Sequence, residues 1–169
     1  FLVSWVVGYR WLPDGLLRGR SGAAALAGDE AAATLGAEFL RIALLNLLPM
    51  ALVIAANRLL ILQGFPLGYL PPLLWSASYA ITLGTNSFSI PLPARMAPSL
   101  AVLARSGPYE IAAYVLMATA TYALPTYVAK RLIPPDSEPI EPTPPFLASI
   151  DWVGFALAIL LLMGACLWE

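Results

Sequence analysis

The chain has 169 residues, of which 60% are hydrophobic and 11% are charged, and its formal net charge is -1. Soluble domains carry about 25% charged residues, so this composition, with a mean hydropathy of +0.78, indicates a protein of the membrane. The near-zero charge excludes a nucleic-acid partner, which would require a basic surface to displace counterions from phosphates.

Long apolar segments recur along the chain and predict membrane spans, because about 20 apolar residues cross a bilayer as a helix. The first seven residues predict the tail of a truncated first helix. Four complete spans follow, at residues 42–62, 67–90, 108–128 and 151–168. Trp152 and Trp168 lie at the two ends of the last span and are expected to anchor it at the two interfaces. The predicted fold is therefore an all-α, polytopic transmembrane bundle of about five helices, forming one domain over residues 1–169.

The connections between these spans differ in composition. Residues 13–41 are rich in alanine, and part of this segment is predicted to lie as a helix on the membrane surface. A tight turn is expected at residues 63–66, and a short interfacial or re-entrant helix around residues 100–103. Residues 134–145 read PPDSEPIEPTPP and predict an extended, solvated, acidic loop before the last helix.

Polar side chains inside the apolar segments are the candidate functional residues, since each is costly at mid-membrane. They are Asn46, Asn57, Arg58, Asn86 and Glu110. In a functional interpretation, Arg58 and Glu110 form a buried pair, or Glu110 binds a proton or a ligand. In a structural interpretation, Glu110 stabilises the start of its own helix, Arg58 extends to the interface, and the asparagines bond neighbouring helices.

Small residues on two of the predicted helices are expected to form the helix contacts, because close backbone approach is how helices pack in lipid. They are Ala77, Ala80 and Gly84 on one helix and Ala112, Ala113, Ala118 and Ala120 on the next.

The sequence has few of the groups that enzymes use. It contains no histidine, and its one cysteine, Cys166, lies in the last apolar segment. No Gly-rich phosphate loop, paired cysteine motif or membrane-embedded acidic cluster is present, so we expect a non-enzymatic protein with no metal and no cofactor. Lipid, quinone or pigment can still contact its surface, without a histidine ligand.

Residues 39–88, FLRIALLNLLPMALVIAANRLLILQGFPLGYLPPLLWSASYAITLGTNSF, resemble the core of the stage II sporulation protein M family of integral membrane proteins. The segment RSGPYEIAA is similar to that family's Pro-His-Gly-x-x-Glu motif, which Gly107 and Glu110 match, while Arg105 and Ser106 stand in place of proline and histidine. The resemblance covers roughly residues 1–132. It implies a non-enzymatic component of a multiprotein assembly in the prokaryotic cytoplasmic (inner) membrane.

These observations favour a structural subunit that stabilises or connects a larger membrane complex of the respiratory, photosynthetic, transport or envelope type. Its partners would be other integral membrane subunits and membrane lipids. The alternative is a transport or permease component with a polar path near Arg58, Asn86 and Glu110, because transporters break helices around midplane sites. A membrane-embedded enzyme is the third and least supported hypothesis.

Overall fold

The computed structural model describes residues 1–19, 33–131 and 136–168. The described part of the chain contains α-helices α1 to α6 and β-strands β1 to β4. The helices are α1 (Leu2–Trp11), α2 (Leu35–Leu59), α3 (Leu70–Gly84), α4 (Leu100–Leu103), α5 (Ser106–Ala120) and α6 (Trp152–Trp168). The strands are β1 (Leu60–Leu62), β2 (Phe65–Pro66), β3 (Tyr127–Arg131) and β4 (Asp136–Pro139).

The predicted all-α transmembrane bundle of about five helices is wrong. A four-stranded mixed sheet, in the order β2-β1-β3-β4, is part of the fold. Within the described ranges, α2 alone is long and apolar enough to cross a membrane, and α6 is a shorter apolar helix. The described residues therefore do not form a polytopic membrane bundle.

Two of the predicted spans are replaced by shorter helices. The segment at 67–90 forms α3, which ends at Gly84, and Asn86 then adopts a left-handed backbone with φ of 52°. The segment at 108–128 forms α5, which ends at Ala120, and the β-branched and aromatic residues beyond it enter β3. Each of these helices has 15 residues and is therefore about 22 Å long, which is short of the bilayer core of about 30 Å.

The sheet is formed by segments far apart in the sequence. Strand β1 follows α2 directly and pairs in parallel with β3, while β4 pairs antiparallel with β3. The tight turn expected at residues 63–66 is present, but it closes the β1–β2 hairpin. Gln63 and Gly64 both have positive φ, of 51° and 83°, as a type I′ hairpin turn requires.

The remaining predicted connections have mixed outcomes. A short helix is present at α4, where residues 100–103 predicted one. The acidic segment at 134–145 is not only an extended loop, because its residues 136–139 form β4. Of the segment 13–41, part of which was predicted to be a surface helix, residues 20–32 lie outside the described residues and residues 35–41 belong to α2.

By contacts between its Cα atoms, the chain divides into two compact units. Unit 1 comprises Phe1–Leu45 and Leu73–Arg105. Its core is formed by Trp5, Ala80, Leu83 and Val102, and the Trp5 indole Nε1 donates a hydrogen bond to the carbonyl of Met96 at 2.8 Å.

Helices α1 and α3 touch at a pair of glycines within unit 1. A Cβ placed on Gly84 would lie 2.6 Å from the amide nitrogen of Tyr9, and one on Gly8 would lie 3.3 Å from the Cα of Ile81. The two backbones are therefore in direct contact, as the sequence predicted for Gly84.

Unit 2 comprises Asn46–Pro72 and Ser106–Glu169. In it α5 packs against α6, and the buried faces of the two helices consist largely of small residues. A Cβ on Gly154 would lie 3.1 Å from that of Ala120. Burial agrees with the predicted packing role of Ala113, Ala118 and Ala120, whereas Ala112 is exposed.

The Asp151 carboxylate caps the start of α6, the helix that the sequence predicted at residues 151–168. Its Oδ1 accepts hydrogen bonds from the amides of Val153 and Gly154 at 3.1 and 3.2 Å. This cap provides acceptors for two of the amide groups that a helix start leaves without partners.

Candidate functional site

Asn57 makes the most extensive polar contacts among the predicted site residues. Its side chain is fully buried in unit 2. The amide Nδ2 donates to the carbonyl of Ala118 and to Oγ1 of Thr121, both at 2.8 Å, and Oδ1 accepts from the amide of Gly68 at 2.8 Å. Asn57 therefore joins the end of α2 to the end of α5 and to the turn after β2.

The Asn57 amide group occupies the space that a side chain at Gly68 would fill. A Cβ on Gly68 would lie 2.2 Å from Oδ1 of Asn57, so any larger residue would displace this side chain. Sequence reasoning missed both Gly68 and Thr121. No sequence signal links residues 57, 68 and 121 before the fold is known.

Arg58 lies next to Asn57 and binds backbone rather than a carboxylate. Its NH1 donates to the carbonyls of Leu124 at 3.1 Å and Pro144 at 2.8 Å. The carbonyl of Arg58 in turn accepts hydrogen bonds from Thr126, through its amide and through Oγ1. Arg58 thus holds the segment that precedes β3 and the segment that follows β4.

Glu110 and Gly107 lie in the first turns of α5, where Gly107 is buried and Glu110 is half-buried. Arg58 contacts Leu124, which follows the other end of α5, so Arg58 and Glu110 lie at opposite ends of this helix. The guanidinium and the carboxylate predicted to pair are therefore separated by most of the length of α5.

Asn46 connects three helices of unit 2. Its Oδ1 accepts a hydrogen bond from the hydroxyl of Tyr114 on α5 at 2.6 Å, and its Nδ2 lies 3.7 Å from Sγ of Cys166 on α6. This geometry is that of packing between helices, which is the structural interpretation made from the sequence.

Asn86 belongs to unit 1 and forms a polar turn after α3. Its side chain makes two hydrogen bonds with the backbone of Leu92, donating to the carbonyl at 2.8 Å and accepting from the amide at 2.9 Å. Its neighbours Thr85 and Ser87 are also buried, and their hydroxyls lie 2.6 Å apart. These two residues were absent from the predicted site.

The polar turn also holds the loop that follows α1. The amide of Gly15 donates to the carbonyl of Thr85, the amide of Leu17 donates to Oγ of Ser87, and the guanidinium of Arg18 donates to the carbonyl of Asn86. A buried, fully hydrogen-bonded polar cluster of this kind specifies one loop conformation.

Trp152 and Trp168 are the first and last residues of α6, and both indoles are largely exposed. They are about 24 Å apart along the axis of α6, at 1.5 Å per residue. Two aromatic side chains thus mark the ends of the apolar helix, as the sequence predicted.

A row of exposed leucines runs along α2. Its members are spaced so that they share one helix face, and each is more than half exposed: Leu40, Leu44, Leu48, Leu52 and Leu59. We call this row the leucine face. The opposite side of α2 is buried at Ala43, Met50, Val53 and Asn57. Only 28% of the most apolar part of α2 is buried by the protein itself.

Across residues 1–19, 33–131 and 136–168, no group of three or more aspartate, glutamate or cysteine side chains is arranged to hold a metal ion. Comparisons of this chain with protein-family models, with curated proteins and with solved structures find no match. The resemblance to the stage II sporulation protein M family therefore stays a prediction from the sequence.

Proposed function

We propose that this protein is a non-enzymatic accessory subunit of a larger membrane complex, held in the bilayer by α2. The observation that carries the proposal is the leucine face of α2. Leucines that are more than half exposed over about five turns of one helix have a large transfer cost in water and none in lipid.

The charged residues of α2 support a single crossing by this helix. Glu38 and Arg41 form an ion pair near its start, and Arg58 lies one residue before its end. Arg41 and Arg58 are about 26 Å apart along the axis, which approaches the thickness of a bilayer core once long arginine side chains extend outward. Between them Asn46 and Asn57 are the polar side chains, and both are engaged within the fold.

The sheet supports an aqueous or interfacial position for the C-terminal end of α2. Strand β1 begins at the residue after α2, and β4 is exposed at every position. Open sheet edges do not occur in the lipid core, because their backbone groups would lack partners. The exposed pair of Lys130 and Glu138 also fits a position near water.

The outer face of α6 supports a protein partner. One side of α6 packs on α5, while large apolar residues on the other side are exposed: Trp152, Val153, Leu157, Leu160, Leu167 and Trp168. Contiguous apolar surface of this kind marks interaction sites in folded proteins. We propose that another integral membrane subunit covers it, and, on the strength of the sequence resemblance, that the complex belongs to the prokaryotic cytoplasmic membrane.

A transport component remains the alternative function. It would use polar side chains along a path, with Arg58, Asn86 and Glu110 as its candidates. Of these, Asn86 and Arg58 make hydrogen bonds to backbone carbonyls. Those bonds favour a structural role for Asn86 and Arg58, and they are why we place the accessory subunit first.

Membrane integration is tested by extracting membranes with alkaline carbonate. We expect the wild-type protein to remain in the pellet. Most of the Leu48→Lys/Leu52→Lys double variant should be released to the supernatant, because each lysine at the helix centre raises the free energy of membrane insertion by about 2.5–3.5 kcal/mol. The control is Lys130→Gln/Arg131→Gln, which alters two residues of β3 and should stay in the pellet. Release of the wild-type protein would contradict integration.

The partner is tested by site-specific photo-crosslinking in cells. A photoreactive residue at Leu160, on the exposed face of α6, should give one discrete adduct with another membrane protein. The same residue at Glu138, on the exposed strand β4, is the control and should not give that adduct. Identical adducts from both positions, or none from Leu160, would contradict a partner on α6.

A further inference from the structure

Unit 1 carries an excess of positive charge. Its two segments contain six arginines and four carboxylates, a net side-chain charge of +2. Five of the arginines lie among the described residues: Arg10, Arg18, Arg41, Arg95 and Arg105. The segments of unit 2 contain three cations and six carboxylates, a net side-chain charge of -3. The chain as a whole is nearly neutral, so the composition alone conceals this difference.

Two of the arginines of unit 1 are brought together by one carboxylate. Asp14 accepts a hydrogen bond from Arg18 NH2 at 3.3 Å through Oδ1 and from Arg95 Nε at 3.4 Å through Oδ2. Arg95 NH1 also donates to the carbonyls of Tyr9 and Leu12 at the end of α1. One carboxylate facing two guanidinium groups leaves a local charge of +1.

The loop backbone fixes the position of Arg18. Arg18 donates to the carbonyl of Asn86 at 2.8 Å, within the polar turn. A Cβ on Gly15 would lie 3.2 Å from Cζ of Arg18, so the guanidinium lies directly over this glycine. Both Arg18 and Arg95 are therefore held in place before any ligand binds, which reduces the entropy cost of binding.

Exposed apolar side chains accompany these charges. Trp11, next to Arg10 at the end of α1, is 72% exposed. Ile90 and Leu92 are exposed on the segment that Asn86 holds. Tryptophan and aliphatic side chains beside arginines are typical of segments that lie at the headgroup level of a bilayer.

We propose that Arg10, Trp11, Arg18 and Arg95, which we call the arginine surface, bind the headgroups of anionic phospholipids. The arginines contact the phosphate, and Trp11 enters the boundary between headgroups and acyl chains. The inference rests on the proposed function, since it requires that the protein reside in a membrane. It adds the chemical class of lipid that the protein selects.

The experiment titrates the purified full-length protein in mild detergent with dioleoylphosphatidylglycerol and, separately, with dioleoylphosphatidylcholine. Bound lipid is measured by native mass spectrometry. Both lipids carry a phosphate, but only the first has a net negative charge. An arginine near an anionic headgroup contributes about fivefold in binding, so we expect the wild-type protein to prefer phosphatidylglycerol by about tenfold or more.

The variants assign that preference to the arginine surface. Arg18→Gln/Arg95→Gln should bring the two lipids to within about twofold of each other. Lys130→Gln/Arg131→Gln removes the same charge from β3 and should keep the wild-type preference. Arg95 also binds the end of α1, so Arg10→Gln, which changes an exposed side chain, provides a second variant that tests the surface without altering those contacts. It should reduce the preference about fivefold.

Three results would overturn the proposal. They are equal binding of the two lipids by the wild-type protein, an equal loss in the β3 control, and displacement of phosphatidylglycerol by millimolar inorganic phosphate, which would indicate a site for free anions. Failure of the proposed function is distinguished by carbonate extraction. A protein that stays in the pellet but has no lipid preference refutes only the lipid proposal.

Discussion

At the scale of single residues, the buried asparagines act through what they hold in place. The Asn57 side chain accepts a hydrogen bond from the amide of Gly68 and donates one to the carbonyl of Ala118 on α5. The Asn86 side chain makes hydrogen bonds with both the amide and the carbonyl of Leu92. Both were identified from the sequence because amides are rare within apolar segments. Their partners were not, since each hydrogen bond depends on a turn whose position in space the sequence does not reveal.

Asn57→Ala should destabilise the protein by about 1–3 kcal/mol, because the buried amide of Gly68 loses its acceptor. The measurement is the thermal unfolding midpoint in detergent. Asn46→Ala is the comparison, and we expect a smaller effect because Asn46 is only half-buried. Equal shifts for the two variants would contradict the role assigned to Asn57.

Glu110→Gln separates the two functional hypotheses. For an accessory subunit, the loss of one charge near a helix start should cost no more than about 0.3–1 kcal/mol, and the complex should still assemble. For a transport component, uptake into reconstituted vesicles should be abolished while the protein remains folded and inserted. Recovery of the parent complex by affinity purification is measured alongside uptake. Lost uptake with intact assembly would favour transport over our proposal.

At the scale of elements, the ends of the predicted spans are where the sequence interpretation failed. Residues 60–62 are all apolar, and residues 127–131 begin with the apolar run Tyr-Val-Ala. An apolar run this short has no periodicity that distinguishes a strand from the end of a helix. Their parallel pairing joins segments 67 residues apart. The start of α6 and the short helix α4 lie where the sequence predicted them. In the sequence, Asp151 directly precedes α6 and Pro98 shortly precedes α4, and both residue types are common just before helices.

The contact between α1 and α3 predicts that any side chain at Gly84 lowers the stability of the protein. Gly84→Ala would bring a methyl group within 2.7 Å of backbone atoms of Trp5 and Tyr9, neither of which can rotate away. We expect a fall in the thermal midpoint corresponding to about 1–3 kcal/mol.

Gly164→Ala is the matched control for that variant. Gly164 lies within α6, and no atom lies within 4 Å of the position that an added methyl group would take, so alanine should stabilise the helix by about 0.5–1 kcal/mol. A loss of stability of the same size in both variants would show that the contact between α1 and α3 is not tight.

The β1–β2 hairpin gives a further prediction. Gly64→Val places a β-branched residue at a φ of 83°, where L-residues are strained, and should destabilise the protein by about 1–2 kcal/mol. Gln63→Asn suits the same turn better and should be neutral or stabilising. Unfolding midpoints of the two variants check this, and a tolerated valine would argue against the type I′ turn.

At the scale of the whole molecule, composition predicted long apolar segments but not how many of them form helices of spanning length. A chain with 60% hydrophobic residues contains several apolar segments, yet in the described structure only α2 has the length to span. Helix α3 ends at Gly84, before the left-handed Asn86, and α5 ends at Ala120, ahead of strand β3 at residues 127–131. The sequence alone did not reveal the charge difference between the two units, because each unit combines segments that are distant in the sequence.

The central claim is that α2 crosses a bilayer with its leucine face toward lipid. It is tested most directly by placing a nitroxide spin label at residues 40, 44, 48, 52 and 59 in turn, in a Cys166→Ala background reconstituted into vesicles. Collision rates with oxygen, which concentrates in lipid, and with a water-soluble nickel chelate give the depth of each label. We predict the greatest depth at Leu48 and shallower values toward both ends. Nickel access at all five positions would contradict the account.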